Sequence, residues 1–205
     1  MLVFPVFLKL EGRRVLVVGA GPVAAGKIRP LVGAGARVTI VAPDVVPEIE
    51  SIADERPGDV TIVRRGFEPG DVEGAWYVVA AAPPGVNRAV AKAAEPRCLF
   101  VNAVDDLESA SAYAGAIVQK AGVTIAMSTD GEAPALAGLM REALEVLLPD
   151  DLDTWMARAL EARRDWLARG VPMAERRPLL LEALNEIYRQ KQSESRGPRE
   201  AQSSL

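Results

Sequence analysis

From Arg14 onward, short runs of consecutive apolar residues alternate with stretches whose apolar positions recur three and four residues apart. Val15-Leu-Val-Val18 is the first such run, with three of its four residues β-branched, the pattern of a strand buried on both faces. Arg37–Ala42, Val60–Val63, Trp76–Ala80 and Cys98–Asn102 repeat it. After the first run, Val23, Ala24, Ile28, Leu31 and Val32 share one face at helical spacing, and Gly33-Ala-Gly35 ends that helix. A second helix is predicted over Val86–Ala94. Strands alternating with helices imply an α/β fold, a doubly wound parallel sheet with right-handed crossovers.

Beyond Asp106 the rhythm changes. Ser111–Val118 and Val123–Met127 predict two strands joined through Gln119–Gly122, and a helix starts at Pro134, where a missing amide costs nothing, to end at Leu147-Leu-Pro149. Leu152, Trp155, Met156, Ala159, Leu160, Trp166 and Leu167 recur at helical spacing; Gly170-Val-Pro172 breaks them, and Leu179–Tyr188 predicts a last helix. A hairpin plus one helix is marginally stable alone, so the segment 111–149 is expected to pack on a second subunit.

The link between the first strand and its helix carries the first chemistry. In Gly19-Ala-Gly-Pro-Val-Ala24, Gly19 permits a tight turn and Gly21 lets a pyrophosphate approach the backbone. Ala24 is small enough for the helix to pack on the strand, and the helix aims its first amides at the phosphates. The strand-turn-helix context makes this a dinucleotide-binding signature. Ligands of such sheets lie beyond the carboxyl ends of the strands. The candidate cofactor contacts are therefore Gly19, Gly21, Pro22, Val23, Ala42, Pro43, Asp44, Ala81 and Ala82, with Asn102 to Asp106 on the next strand end. Asp44 stands about twenty residues past the turn, where an acid would bind the adenosine ribose; a plain turn residue is the alternative. No arginine follows that strand to meet a 2′-phosphate, which favours NAD over NADP. Lys27 is either a phosphate partner or a surface cation.

Composition narrows the classes. The 205 residues carry a formal net charge of -4 with no basic block, which argues against nucleic acid as a partner. The apolar start Met1–Leu10 is too short to span a bilayer, so no membrane role is expected. A single cysteine, Cys98, excludes an intramolecular disulfide and points to a reducing cytoplasm; it reads as a small core residue. Histidine is absent, which removes the commonest base near neutral pH and the commonest transition-metal ligand. No protein-built metal site is expected, and acid–base chemistry falls to carboxylates, Lys, Tyr or Cys98.

Several blocks resemble the precorrin-2 dehydrogenases of siroheme synthesis, a group that includes the amino-terminal half of bacterial siroheme synthase. They are Phe4-Pro-Val-Phe-Leu-Lys-Leu10, Gly19–Lys27, Val41-Ala-Pro43, Val86-Asn87, Val101-Asn-Ala-Val-Asp105, Ser128–Ala137, Arg141 and Leu147-Leu-Pro149. The resemblance covers roughly residues 4–149, more loosely to 188. Two departures stand out: Ala81-Ala-Pro-Pro84 where the family often has Thr-Asp-Asp, and Tyr113-Ala-Gly115 where it usually has Phe-x-x-Pro. The resemblance implies oxidation of precorrin-2 to sirohydrochlorin with NAD, in some members ferrous iron insertion as well, and a homodimer. The expected organisation is a Rossmann-type NAD-binding domain over 1–110, a small α+β dimerisation segment over 111–149 and a helical domain over 150–192. A polar tail, expected to be disordered, covers 193–205.

The same resemblance makes Asp105 the catalytic carboxylate, the group that accepts the proton released as hydride leaves the macrocycle. The residues alone leave Asp105 and Asp106 open between that role and capping a turn. Thr129-x-x-Glu132 has the spacing of a capping box, while Ser128, Thr129 and Gly131 before a helix could also present amides to a substrate carboxylate. Arg141 is either a further anchor or a solvated cation. A reading from another class is a dinucleotide-sensing regulatory module without catalysis, since the glycine signature alone confers no chemistry.

Overall fold

The computed structural model describes residues 3–196. Five strands form one parallel sheet: β1 (Arg14–Val18), β2 (Arg37–Val41), β3 (Val60–Val63), β4 (Tyr77–Ala80) and β5 (Phe100–Ala103), in the order β3-β2-β1-β4-β5. Helices α1 (Pro22–Gly33), α2 (Pro47–Glu55) and α3 (Pro84–Ala94) make three of the crossovers. This is the expected doubly wound α/β sheet. Side chains of β1 alternate between two cores. Val15 and Val17 pack with Ile28 of α1 and Ile49 and Ile52 of α2, whereas Leu16 and Val18 pack with Val72, Val78 and Val90. Every residue of β1 after Arg14 is buried, which explains the unbroken apolar run.

Helix α2 has no counterpart in the sequence reading. It is nine residues long, starts on Pro47 and buries only Ile49 and Ile52, too few apolar positions to declare a period. Three further differences follow from local packing. Val23 sits at the exposed start of α1 and Ala25 takes the core position instead. Strand β5 begins at Phe100; Cys98 closes a short 3₁₀ turn over Glu95–Arg97 with φ 52° and is exposed, so it is not a core residue. Ser111 and Ala112 do not start a strand of the hairpin but donate their amides to the Val101 carbonyl at 2.9 and 3.0 Å, covering part of the outer edge of β5.

The connection from β3 to β4 lacks a long helix and is held by charge. A 3₁₀ turn, Pro69–Val72, presents Asp71 to the Arg65 guanidinium at 2.8 and 2.5 Å, and Asp71 Oδ2 also accepts the Glu68 amide at 2.8 Å. Arg14, at the start of β1, donates to the carbonyls of Asp71 and Glu73 at 3.0 and 2.5 Å. The hydrogen bonds from Arg65 hold the Asp71 carboxyl below the ordinary carboxylate range, and Asp71 in turn raises Arg65.

The remaining elements are the antiparallel pair β6 (Ala116–Lys120) and β7 (Val123–Met127), then α4 (Pro134–Leu147), α5 (Leu152–Arg169) and α6 (Met173–Arg196). By compactness the described chain divides into two units, Met1–Gly115 with Ser128–Pro134, and Ala116–Met127 with Ala135–Leu205. The segment 111–149 is thus shared between them. In the second unit, α5 and α6 meet through Trp155 and Tyr188, edge to face at 5.8 Å. Gly170, left-handed at φ 66°, ends α5. Helix α6 starts at Met173, six residues before Leu179, and carries Pro178 inside it. It also runs through 193–196, the first four residues of the expected tail; 197–205 lie outside the described residues. Among the described residues no helix is long and apolar enough to cross a membrane.

Asp71→Asn removes a charge-assisted pair and is expected to lower stability by about 1–2 kcal/mol at pH 7. A carboxylate with a depressed folded pKa contributes above its unfolded value and loses that contribution as pH falls through the folded one. Denaturant titrations below about pH 4 should therefore show the variant and the wild type converging.

Candidate active site at the carboxyl edge of the sheet

The strand order reverses its direction of growth between β1 and β4, so their carboxyl ends flank the crevice where such sheets bind ligands. The strand ends are tied together there. Gly19 donates its amide to Val41 (2.9 Å), Val46 to Ala20 (3.1 Å), Ala81 to Val18 (2.8 Å) and Val104 to Ala80 (2.9 Å). These bonds place the turn after β1 beside the loops that follow β2 and β4, and the loop after β5 beside the end of β4.

The two glycines of the turn have different reasons to be glycine. Gly19 adopts φ +99°, and a Cβ there would stand 2.2 Å from the Ala81 carbonyl oxygen; backbone passes directly against backbone. Gly21 has φ -85° and ψ -177°, ordinary extended geometry, and a Cβ there would meet nothing within 4 Å. No neighbouring atom requires Gly21 to be bare, so the space beside it is open to a group that approaches from outside. Immediately beyond it α1 opens with Pro22, no acidic residue in its first turn and no side-chain cap, which leaves its positive end available to an anion. Ala24 is fully buried and packs α1 on the sheet. These features fit the pyrophosphate of a dinucleotide.

The other candidate contacts differ in what they offer. Ala42 is buried in the core and donates its amide to Val63 at 3.2 Å, whereas Pro43 and Asp44 are exposed at the end of β2. Ala81 and Ala82 are half-buried. The Ala82 amide is taken by Asn87 Oδ1 at 3.1 Å, and Asn87 is buried in α3. Asn87 therefore shapes the loop after β4, a role not read from the sequence. Its signal was a polar residue on the buried face of an amphipathic helix. Lys27 is half-buried on α1.

The two aspartates after β5 separate cleanly. Asp106 Oδ1 accepts the Ser109 amide at 3.2 Å, so Asp106 does the turn capping. Asp105 is exposed, and its backbone is left-handed at φ 55°, a region that Asp enters more readily than most residues other than Gly. The capping box expected for Thr129 and Glu132 does not form. Instead Thr129–Glu132 is a tight turn with Asp130 and Gly131 at φ 53° and 81°, closed by the Glu132 amide on the Thr129 carbonyl at 2.9 Å. Asp-Gly is the pair this turn geometry favours, and α4 begins only at Pro134. Ser128 Oγ accepts the Asp130 amide at 3.1 Å and Thr129 Oγ1 the Ala133 amide at 3.2 Å. A Cβ on Gly131 would lie 2.6 Å from Leu107 Cδ2, so this turn rests against the loop that carries Asp105. Arg141 is engaged by Glu145 at 2.7 Å along α4. Among the described residues no three His, Cys, Asp or Glu converge as a metal site.

A parallel sheet in this order, with a bare glycine turn at its reversal point, defines a dinucleotide-binding α/β protein. The profile of the family described as "Putative NAD(P)-binding" matches residues 6–116, and the chain belongs to that family. Its cofactor is accordingly a nicotinamide dinucleotide. The chain is 40% identical over 174 residues to siroheme synthase 1 of Aeromonas salmonicida (strain A449), covering 84% of this chain and 37% of that protein. It is 39% identical over 160 residues to the siroheme synthase of Pseudomonas putida (strain W619), covering 78% and 34%. The chain thus spans little more than a third of these relatives' length. Among solved structures, that of SirC, precorrin-2 dehydrogenase, aligns over 92% of both chains with a TM-score of 0.72 and 26% identity.

The contrast between the glycines is measurable. Gly19→Ala is expected to cost about 2–5 kcal/mol of folding stability, because strain and a backbone clash add. Gly21→Asp should leave the unfolding midpoint nearly unchanged yet abolish NAD binding in a calorimetric titration, through bulk and charge placed where the pyrophosphate approaches.

Proposed function

We propose that this chain oxidises precorrin-2 to sirohydrochlorin with NAD, on the route to siroheme, in the cytoplasm. The observation that carries the reading is the alignment with SirC, precorrin-2 dehydrogenase, along 92% of both chains. The reaction takes one hydride and one proton from the macrocycle. NAD, when bound, supplies the hydride acceptor. The glycine turn and the start of α1 hold its pyrophosphate, and Asp44 takes the ribose hydroxyls. Asp105, held exposed at the end of β5, accepts the proton. Ser128, Thr129 and Gly131, resting against the Asp105 loop, hold a substrate carboxylate near it.

The second part of the proposal is a homodimer. Leu136, Leu139, Met140, Val146 and Leu147 of α4 are all exposed, Val146 at 86%. An uninterrupted apolar face of this kind marks an interface, and a second copy of the chain covers it. At micromolar concentration sedimentation should report a dimer burying on the order of 2,000 Å², and Leu139→Glu with Val146→Glu should shift it to monomer. A wild-type protein that stays monomeric would refute the dimer.

The enzymatic reading is tested by anaerobic assay of precorrin-2 with NAD, followed by ferrous iron. Asp105→Asn keeps the size of the side chain but removes the base. NADH formation should slow by a factor of about 10² to 10⁴ with NAD affinity unchanged, while Asp106→Asn, which retains the oxygen facing Ser109, should be mild. Iron insertion in the second stage would extend the activity to a chelatase. A wild-type protein that binds NAD and never reduces it would instead support a sensing module.

A further inference from the structure

In the chain no arginine follows β2, yet the sheet supplies one from the side. Strands β2 and β3 are paired in parallel with Val41 opposite Val63, and the Ala42 amide donates to the Val63 carbonyl at 3.2 Å. Arg64 directly follows Val63 and so comes next to Ala42, whereas the Arg65 amide turns back onto the Val63 carbonyl at 3.1 Å, where the strand has ended. Arg65 is committed elsewhere, to Asp71 and the Gly66 carbonyl. Side chains alternate along a strand. Ile62 and Ala42 both join the core under α1 and α2, and Arg64 returns to that same face. There Glu50 of α2 holds it at 2.5 Å, with both side chains about half exposed. Arg29 of α1 is likewise faced by Glu48 and Glu55 of α2, at 3.8 and 3.7 Å. The carboxylates of α2 thus match both arginines, and Asp44, exposed just after β2, adds a further negative charge.

We propose that the Glu50–Arg64 pair sets the choice between NAD and NADP. While Glu50 holds Arg64, the adenosine end accepts a ribose 2′-hydroxyl, and the surrounding carboxylates repel a 2′-phosphate. Without the Glu50 charge, Arg64 turns to the phosphate, which its planar guanidinium matches with two hydrogen bonds. The inference rests on the cofactor assignment above and adds to it the residues that discriminate.

Binding of NAD and of NADP to the full chain would be measured by calorimetry for the wild type, Glu50→Gln and Glu50→Gln/Arg64→Ala. The wild type should prefer NAD. Glu50→Gln should bind NADP about tenfold more tightly, the scale of one charge-assisted contact, with NAD affinity changed less than about twofold. The double variant should lose that gain. An NADP-to-NAD ratio unmoved by Glu50→Gln, or a gain that survives loss of Arg64, overturns the proposal while leaving NAD binding intact. A wild type that binds neither dinucleotide overturns the cofactor assignment, and this inference falls with it.

Discussion

At Gly19 the backbone passes so close to the Ala81 carbonyl that a Cβ would stand 2.2 Å from the oxygen. The geometry of the nucleotide-binding domain depends on that contact. It brings the turn after β1 against the loop after β4 at the reversal point of the sheet, where β1 and β4 pair from Val15 to Val18. The Ala81 amide then closes onto Val18 and the Gly19 amide onto Val41. Three strand ends converge, and α1 departs from them with its first amides facing outward. Only glycine satisfies both the left-handed φ and the missing volume. The open backbone at Gly21 is a consequence of the tight turn two residues earlier.

Around this point the chain uses rigidity where its relatives in the resembling family often use polar side chains. Ala81-Ala-Pro-Pro84 offers no side-chain hydrogen bonds, but its two prolines and the Asn87 bond to the Ala82 amide fix the loop's course. A fixed backbone presents its own amides and carbonyls at little cost in entropy on binding. The loop after β5 follows the same logic. Asp106 spends one carboxylate oxygen on the Ser109 amide, and Val104 is bonded to Ala80. Between these anchors Asp105 turns the chain with a left-handed backbone and leaves its side chain exposed. Two adjacent aspartates thereby do different work, one building the loop and the other presented by it.

Charge follows a comparable division. Arg14, Arg65 and Asp71 stand in for the missing helix between β3 and β4. Arg29 and Arg64 are matched by acids of α2. The first set is structural, because its members are partly shielded and bonded to backbone as well as to each other. The second is exposed and screened by water, so it adds little stability. It remains able to exchange partners when a ligand arrives, which is where the proposed discrimination between dinucleotides acts.

The amino-acid sequence determined the parallel α/β architecture, because strands buried on both faces leave unbroken apolar runs and a glycine turn between strand and helix has few other uses. It also marked β7 and α4 nearly to the residue, since Gly122 precedes the one and Pro134 opens the other. The tertiary structure decided what depends on neighbours distant in sequence. Cys98 looked like the start of a buried strand, but β5 begins only where its partner Tyr77 does. Helix α2 carries its stability in two isoleucines and the sheet beneath them, so its own period was silent. The division of roles between Asp105 and Asp106 was likewise illegible, because adjacent carboxylates differ only through the amides that reach them. Arg64 came beside the end of β2 through strand register alone. Local pattern encodes elements, whereas register and close approach encode the site, because they arise only when elements separated in sequence come to lie side by side.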